Sequence, residues 1–126
     1  MGCDKSQRYL DKYFNASLHT SKEHLIELAN DKDDSIRSAV ASNHNAPVEI
    51  LIKLANDKNV HVRKAVASNR YTPFEYLMKF ANDKDSDIRK AVASNPITPI
   101  ETLKKLADDK DNGIKLTPIE IRTPVN

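Results

Sequence analysis

The chain has 126 residues, of which 39% are hydrophobic and 30% charged, and its formal net charge is +2. This length suits one domain, and the near balance of 20 basic and 18 acidic residues is not typical of a strongly basic nucleic-acid-binding protein. The single cysteine, Cys3, excludes an internal disulfide and a zinc or iron–sulfur site built from several cysteines. We therefore expect no cofactor and no metal.

The N-terminal sequence Met-Gly-Cys-Asp-Lys-Ser leaves the location of the protein open. It fits the pattern for N-myristoylation at Gly2, with Cys3 available for palmitoylation. No stretch approaches the roughly 18 consecutive apolar residues that a membrane span requires. We predict a cytoplasmic protein without a transmembrane segment, and membrane anchoring through acylation at Gly2 or Cys3 is the alternative.

Residues 1–30 are predicted to form an N-terminal cap and a degenerate first repeat. The end of this segment, 24–30, is similar in sequence to the end of the next one, 50–56. Four bulky side chains stand where later segments carry small alanines, and we expect them to close the open end of the core: Tyr9, Leu10, Tyr13 and Phe14.

Three full repeats of 26 residues follow, at 31–56, 57–82 and 83–108. Each begins with a predicted helix whose apolar residues recur at positions i, i+3 and i+4, as at Ile36, Ala39 and Val40. This spacing produces one buried helical face. An asparagine follows each of these helices, and we predict that it ends the helix in a left-handed conformation: Asn43, Asn69 and Asn95.

A second predicted helix completes each repeat. In two repeats its start signal is Thr-Pro-x-Glu, beginning at Thr72 and Thr98, which places Thr at the N-cap and Pro at the first helical position. The Glu then completes a capping box. The apolar face continues through residues that we expect to be buried: Leu51, Leu54 and Ala55; Leu77, Phe80 and Ala81; Leu103, Leu106 and Ala107.

Two such helices cannot bury their apolar faces alone, whereas stacked copies can. The repeats are therefore predicted to form a single all-α repeat domain over residues 1–126. After Asp109 the pattern fails, because the first helix is mostly missing and Gly113 and Pro118 disfavour a regular helix. Residues 109–126 are predicted to be a truncated repeat and a tail.

The motif that the three repeats share is R-x-A-V-A-S-N-x-x-x-P-x-E-x-L-x-K-x-A, within about residues 20–110. It resembles the repeat of the leucine-rich repeat variant family, whose members are related to HEAT-like α-solenoids. The resemblance implies a short right-handed α-solenoid of 26-residue two-helix repeats, with α- and 3₁₀-type helices alternating and no sheet. The family prototype carries a cysteine-ligated iron–sulfur module ahead of its repeats, and this chain lacks those cysteines.

Arginine and aspartate recur in register in the three repeats, as Arg37, Arg63 and Arg89 with Asp31, Asp57 and Asp83. Because the two residue types occur in equal number, we predict an Arg–Asp ladder that ties neighbouring repeats by bidentate hydrogen bonds. The alternative is a cationic ridge that binds phosphate.

The central repeat, 57–82, is the most basic, with five Lys or Arg residues against two acidic ones. It also holds four of the seven aromatic residues, of which Phe74 and Phe80 occupy columns that we expect to lie in the core. Tyrosine and arginine are enriched at binding hot spots. We predict a partner-binding patch made of Lys64, Arg70, Tyr71 and Tyr76.

No paired carboxylates, clustered metal ligands or nucleophile with a neighbouring base stand out, so we predict that the chain is not an enzyme. In a repeat protein the fixed columns hold the stack and leave the variable columns for recognition. We predict a monomeric protein–protein interaction module that binds a protein partner through variable repeat positions. The alternative is a nucleic-acid-binding HEAT-like solenoid that uses the basic central repeat.

Overall fold

The computed structural model describes residues 5–17 and 21–109, in which every regular element is an α-helix. The prediction of an all-α fold is therefore confirmed. The expectations for Gly2, Cys3 and the segment beyond residue 109 concern parts of the chain outside the described residues. In chain order the helices are α1 (Lys5–Ser17), α2 (Lys22–Leu28), α3 (Asp34–Ser42), α4 (Val48–Leu54), α5 (Val60–Ser68), α6 (Phe74–Phe80), α7 (Ser86–Ser94) and α8 (Ile100–Ala107).

The helices form two layers. The first helices of the three full repeats, α3, α5 and α7, begin at residues 34, 60 and 86 and pack side by side, with α1 against α3. The second helices α2, α4 and α6 each lie against the first helices on both sides, and α8 lies against α7. The arrangement is a helical solenoid, as the repeats and the family resemblance predict.

The predicted apolar faces are buried. Ile36, Val62 and Ile88 are 0% exposed, and the alanines three positions after each of them are also buried. These small side chains let α3, α5 and α7 approach one another closely. The predicted faces of the second helices are buried too, with the exception of Ala107 at the end of α8, which is exposed.

Both helices of each repeat are α-helical in the described residues, so the alternation of α- and 3₁₀-type helices implied by the resemblance is not present there. Hydrogen bonds from residue i to residue i−3, which are typical of the tighter 3₁₀ geometry, occur at helix ends. After α2, the N–H of Asn30 donates to the carbonyl of Glu27, and the N–H of Asp31 donates to that of Leu28. Such a final turn is common where an α-helix ends.

The asparagine that follows each first helix does not adopt the predicted left-handed conformation. Asn69 has φ −79° and ψ 125°, which is extended backbone. Its buried amide nitrogen donates to the carbonyl of Ala41 in the preceding repeat at 2.8 Å, and its Oδ1 accepts the N–H of Tyr71 at 2.9 Å. The same two kinds of bond form in the other two repeats, so we call this row the asparagine ladder: Asn43, Asn69 and Asn95.

The threonine before the second helix does not cap that helix as predicted. The N-cap of α6 is Pro73, and it makes no side-chain capping bond. The buried hydroxyl of Thr72 donates instead to the carbonyl of Val66 at 2.7 Å, and Thr98 makes the equivalent bond at 2.6 Å. The threonine hydroxyl therefore links the end of the first helix to the residues that begin the second helix.

Thr72→Val keeps the shape of this side chain and removes its hydroxyl. We expect the free energy of unfolding to fall by about 1 kcal/mol, which is the net value of one buried hydrogen bond. The loss stays small because the carbonyl of Val66 still accepts the N–H of Asn69 at 3.1 Å. Urea denaturation measures the difference. Ser94→Ala, which removes an exposed hydroxyl, is the control, and an equal loss in both variants would contradict this role for Thr72.

The predicted closure of the core by bulky residues of α1 is wrong. These four side chains are between 36% and 55% exposed, and Ala16 is the buried residue among positions 8–17 of α1. Ala16 accepts a bond from Asn43 as Ala41 accepts one from Asn69, so α1 is in register with α3 at a spacing of 25 residues. The exposed side chains are Tyr9, Leu10, Tyr13 and Phe14.

Candidate functional site

The Arg–Asp ladder joins each repeat to the next one. Nε of Arg37 donates to Oδ2 of Asp57 at 2.8 Å, and Nη2 donates to Oδ1 at 3.3 Å. Nη1 of the same side chain donates to the backbone carbonyl of Asp31 at 2.8 Å. The guanidinium thus connects the first residue of its own repeat to the first residue of the following repeat.

Arg63 and Arg89 repeat this pairing at the next two junctions, with Nε–Oδ2 distances of 3.5 Å to Asp83 and 2.7 Å to Asp109. The three arginine side chains are between 12% and 16% exposed. The predicted ladder of Arg–Asp pairs between neighbouring repeats is therefore confirmed, and the predicted bidentate geometry is seen at the junction of Arg37 and Asp57. The alternative of a cationic ridge is not supported, because each guanidinium is already paired with a carboxylate.

A further rung of the ladder was not predicted from the sequence. Nζ of Lys12 lies 2.8 Å from Oδ2 of Asp31, so Lys12 takes the role that Arg37 has in the next repeat. A fixed spacing of 26 residues aligns Lys12 with Ser38, whereas the spacing of 25 seen for α1 aligns it with Arg37. The only signal of this rung in the sequence was its spacing. Lys12 precedes Asp31 by nearly the same number of residues as each arginine precedes its paired aspartate.

Two aspartates of the ladder, Asp31 and Asp57, have a lowered pKa and keep their negative charge at neutral pH. Partial burial acts to raise the pKa of Asp57, but hydrogen bonds from Arg37 and from the N–H of Asn59 outweigh it and lower the pKa below the ordinary 3.8. The pKa of Asp31 is lowered in the same way, against its burial, by Lys12 and by the N–H of Asp33. The ladder is therefore a row of ion pairs.

Shallow grooves lie beside the ladder, where each second helix ends and the next first helix begins. The groove at the junction of the first two full repeats has a volume of about 510 Å³ and is lined by Lys32, Lys53 and Lys58, next to the pair of Arg37 and Asp57. We call this side of the solenoid, formed by the turns at residues 31–32, 57–58 and 83–84, the Asp–Lys edge.

The groove at the next junction repeats the first one in part. It has a volume of about 360 Å³ and is lined by Arg63, Asp83 and Lys79, which are the equivalents of Arg37, Asp57 and Lys53. Tyr76 also lines it, and the ammonium of Lys79 stands 5.0 Å from the centre of the Tyr76 ring. Asp57 lines this groove as well, so its two carboxylates balance Arg63 and Lys79, and the surplus of lysines lies in the first groove.

The residues of the predicted patch lie on different faces of the molecule. Lys64 lies on the exposed side of α5, and Arg70 and Tyr71 are exposed in the turn between α5 and α6. The Tyr71 ring makes an edge-to-face contact with His44 of the preceding repeat, with ring centroids 5.9 Å apart. Arg70 and Tyr71 are adjacent, whereas Lys64 and Tyr76 are not joined to them by any contact found in the described residues.

Two aromatic residues of the central repeat, Tyr76 and Phe74, are buried and exposed in the opposite way to that predicted from the sequence. Tyr76 is half-buried and packs against the core, because its column holds the buried Ile50 and Thr102 in the neighbouring repeats. Phe74, which we expected in the core, is 57% exposed. Met78, one helical turn further along α6, is 53% exposed, so Phe74 and Met78 add exposed apolar surface to α6.

Within residues 5–17 and 21–109, no helix is long and apolar enough to cross a membrane. In the same residues, no three His, Cys, Asp or Glu side chains come together as a group that could hold a metal ion.

Comparison with known proteins supports the family resemblance of the repeats. Residues 87–111 match a family model described as leucine rich repeat variant, a span from the start of α7 to just beyond α8. This is the family that the repeated motif resembles, so the resemblance is confirmed over these residues. No curated protein and no solved structure matches the chain.

Proposed function

We propose that this helical solenoid of the leucine rich repeat variant type is a non-enzymatic module, a single domain over residues 1–126, that binds a protein partner. The observation that carries the proposal is the exposure of Tyr71, just before α6, and of Phe74 and Met78 on α6, at 53%, 57% and 53%. Large apolar side chains grouped on a folded surface are typical of protein-binding sites.

The anchor of the proposed interface is the turn that carries Arg70 and Tyr71, together with Phe74. The edge-to-face contact with His44 supports Tyr71 in one orientation before a partner arrives. The N–H of Tyr71 is also bonded to the buried Asn69. A side chain held in this way loses little conformational entropy on binding, which favours affinity.

Two further residues complete the proposed interface on neighbouring faces. Lys64 is exposed on α5 and offers a mobile charge to a partner that extends over the first helices. Tyr76 offers the edge of a half-exposed ring beside Lys79. Both belong at the rim, where contacts contribute less to affinity than a central aromatic anchor.

Nucleic-acid binding through the central repeat has less support. The three arginines of the ladder, Arg37, Arg63 and Arg89, are engaged with carboxylates and are not free to bind phosphate. A catalytic function would need a cluster of acid–base or nucleophilic groups in a cleft, and the carboxylates that line the grooves beside the ladder are already paired with cations.

Arg70→Ala combined with Tyr71→Ala tests the proposal. The tagged full chain captures its partner from native lysate at high salt after nuclease treatment, and the purified partner is then titrated with wild type and variant. We expect the double variant to weaken binding by at least tenfold, as loss of a central Tyr and Arg costs roughly 2 kcal/mol or more. The matched control is Lys22→Ala with Lys104→Ala, which removes two exposed side chains elsewhere.

The result that contradicts the proposal is a partner bound equally by wild type and by the Arg70 and Tyr71 double variant. Capture of nucleic acid alone, or loss of every captured protein after nuclease treatment, would show that the nucleic-acid alternative is correct. Circular dichroism establishes that the double variant keeps its helices, since both substituted side chains are exposed and their removal leaves the core intact.

A further inference from the structure

We infer that the Asp–Lys edge binds an acidic, extended segment of the partner protein, with a carboxylate over each successive turn. The inference rests on the proposed function and names the chemistry of the partner at a second surface. The surface that carries it is separate from the anchor at Arg70 and Tyr71, which lies in the turns at the other end of the helices.

The first step is the charge of the lysines at this edge. Lys32 and Lys58 are exposed, and within residues 5–17 and 21–109 neither of them forms an ion pair. Lys53 donates to the amide oxygen of Asn30, which is neutral and leaves the ammonium charge uncompensated. Lys32 and Lys58 interact with the neighbouring Asp31 and Asp57 only through space, without a direct ion pair, so their ammonium groups stay open to a ligand.

The second step is that the acidic groups of the same grooves are already neutralised. Asp31 is paired with Lys12 at 2.8 Å, and Asp57 is paired with Arg37 at 2.8 Å. In the groove of about 510 Å³ these two carboxylates are thus balanced by the ladder, while the three lysines at its rim are left over. The surplus positive charge selects an anionic ligand.

The third step is the spacing. Neighbouring packed helices lie about 8–10 Å apart, so the equivalent lysines Lys32, Lys58 and Lys84 recur at about that interval along the edge. A peptide in the extended polyproline II conformation advances about 3.1 Å per residue with three residues per turn, so every third side chain lies on one face and recurs at about 9 Å. Carboxylates three residues apart therefore match the lysines of successive repeats.

A nucleic-acid strand matches this edge less well. Each strand of a duplex carries one phosphate for about every 3.4 Å of its axis. Most phosphates would then lie between the lysines, over the satisfied ion pairs of Asp31 and Asp57, and would lose hydration without gaining a partner. Sparse carboxylates on a peptide avoid this cost, so the edge favours an acidic peptide.

A fluorescence-anisotropy titration of the full chain tests the inference. The probe is a labelled extended peptide with aspartate at every third position, and the control peptide carries asparagine instead. We expect binding of the aspartate peptide that weakens as salt is raised. Lys32→Gln with Lys58→Gln should weaken it by about tenfold, because the variant loses two exposed ion pairs with the peptide, each of which makes a small contribution to affinity.

Matched variants make the result specific. Lys22→Gln with Lys104→Gln removes the same charge from positions that line none of the grooves described above, and should leave binding unchanged. Equal weakening by both pairs of substitutions, or equal binding of the asparagine peptide, would overturn the inference. Tighter binding of a single-stranded oligonucleotide of equal charge, lost in the same Lys32 and Lys58 variant, would also overturn it.

The two proposals fail in different ways. If the aspartate peptide does not bind but the captured partner still depends on Arg70 and Tyr71, the inference about the edge is wrong and the proposed function stands. If the peptide binds through Lys32 and Lys58 while the partner does not depend on Arg70 and Tyr71, the edge is supported and the anchor is wrong. If neither dependence is seen, both proposals are wrong.

Discussion

Asn69→Ala is expected to lower the free energy of unfolding by about 3 kcal/mol, because the substitution removes the side-chain partner of the carbonyl of Ala41 and of the N–H of Tyr71 at a buried junction. The amide nitrogen of Asn69 donates to the carbonyls of Ala41 and Asn43 at 2.8 and 3.3 Å, and Oδ1 accepts the N–H of Tyr71. Asn69 is 3% exposed, so water cannot replace these bonds without opening the junction between repeats. The loss is a large fraction of the roughly 5–15 kcal/mol that stabilises a typical domain.

Urea denaturation followed by circular dichroism measures this loss. Ser68→Ala, at the exposed position next to Asn69, is the matched control and should change the free energy of unfolding by less than about 0.5 kcal/mol. Asn69→Asp should be at least as damaging as Asn69→Ala, because a carboxylate would face two carbonyl oxygens. If Asn69→Ala and Ser68→Ala are equally mild, the asparagine ladder does not hold the repeats together.

The Asn69 variant should also change the cooperativity of unfolding. In a repeat protein, stability is close to a sum of repeat terms and nearest-neighbour interface terms. Asn69 lies at the junction between the repeats 31–56 and 57–82, so weakening it separates an N-terminal part from a C-terminal part. We expect a broader urea transition than in wild type, with a lower apparent slope, as two-state unfolding is lost.

The helices and their buried faces could be predicted from the sequence, whereas the long-range polar bonds could not. The spacing of Ile36, Ala39 and Val40 alone predicts a buried helical face, and all three residues are buried. Asn69 and Thr72 suggested local roles, a left-handed turn and a helix cap, because both residue types are common there. Their actual partners are carbonyls of Ala41, in another repeat, and of Val66, in the preceding helix, and neither is visible in a local pattern.

The candidate site shows the same limit. The Arg–Asp ladder was predictable because both residue types recur at one interval, while Lys12 was missed because α1 follows a spacing shorter by one residue. Tyr76 and Phe74 lie two positions apart on α6, and a helix turns such neighbours to different sides. The assignment of Phe74 to a core column and of Tyr76 to a variable surface column therefore gave the reverse of their positions.

Asp57→Asn is expected to lower the free energy of unfolding by about 2 kcal/mol at pH 7, since it leaves the largely buried guanidinium of Arg37 without a carboxylate. Both side chains of this pair are close to 10% exposed. The asparagine can still accept the N–H of Asn59, which Oδ1 of Asp57 accepts at 2.9 Å. The expected loss is therefore that of the charged contacts with Arg37.

The pH dependence of the unfolding free energy distinguishes the contribution of the Asp57 charge from that of its packing. The pKa of Asp57 is lowered in the folded protein, because the bonds from Arg37 and the N–H of Asn59 outweigh burial, so the unfolded chain takes up the proton first as pH falls. The stabilisation by Asp57 is complete above the unfolded pKa of about 4 and is lost as pH falls through the folded pKa. The difference in unfolding free energy between wild type and Asp57→Asn should accordingly shrink between pH 5 and lower pH, as measured by urea denaturation across that range. A difference that stays constant down to about pH 2 would mean that the contribution of Asp57 to the junction does not depend on its charge.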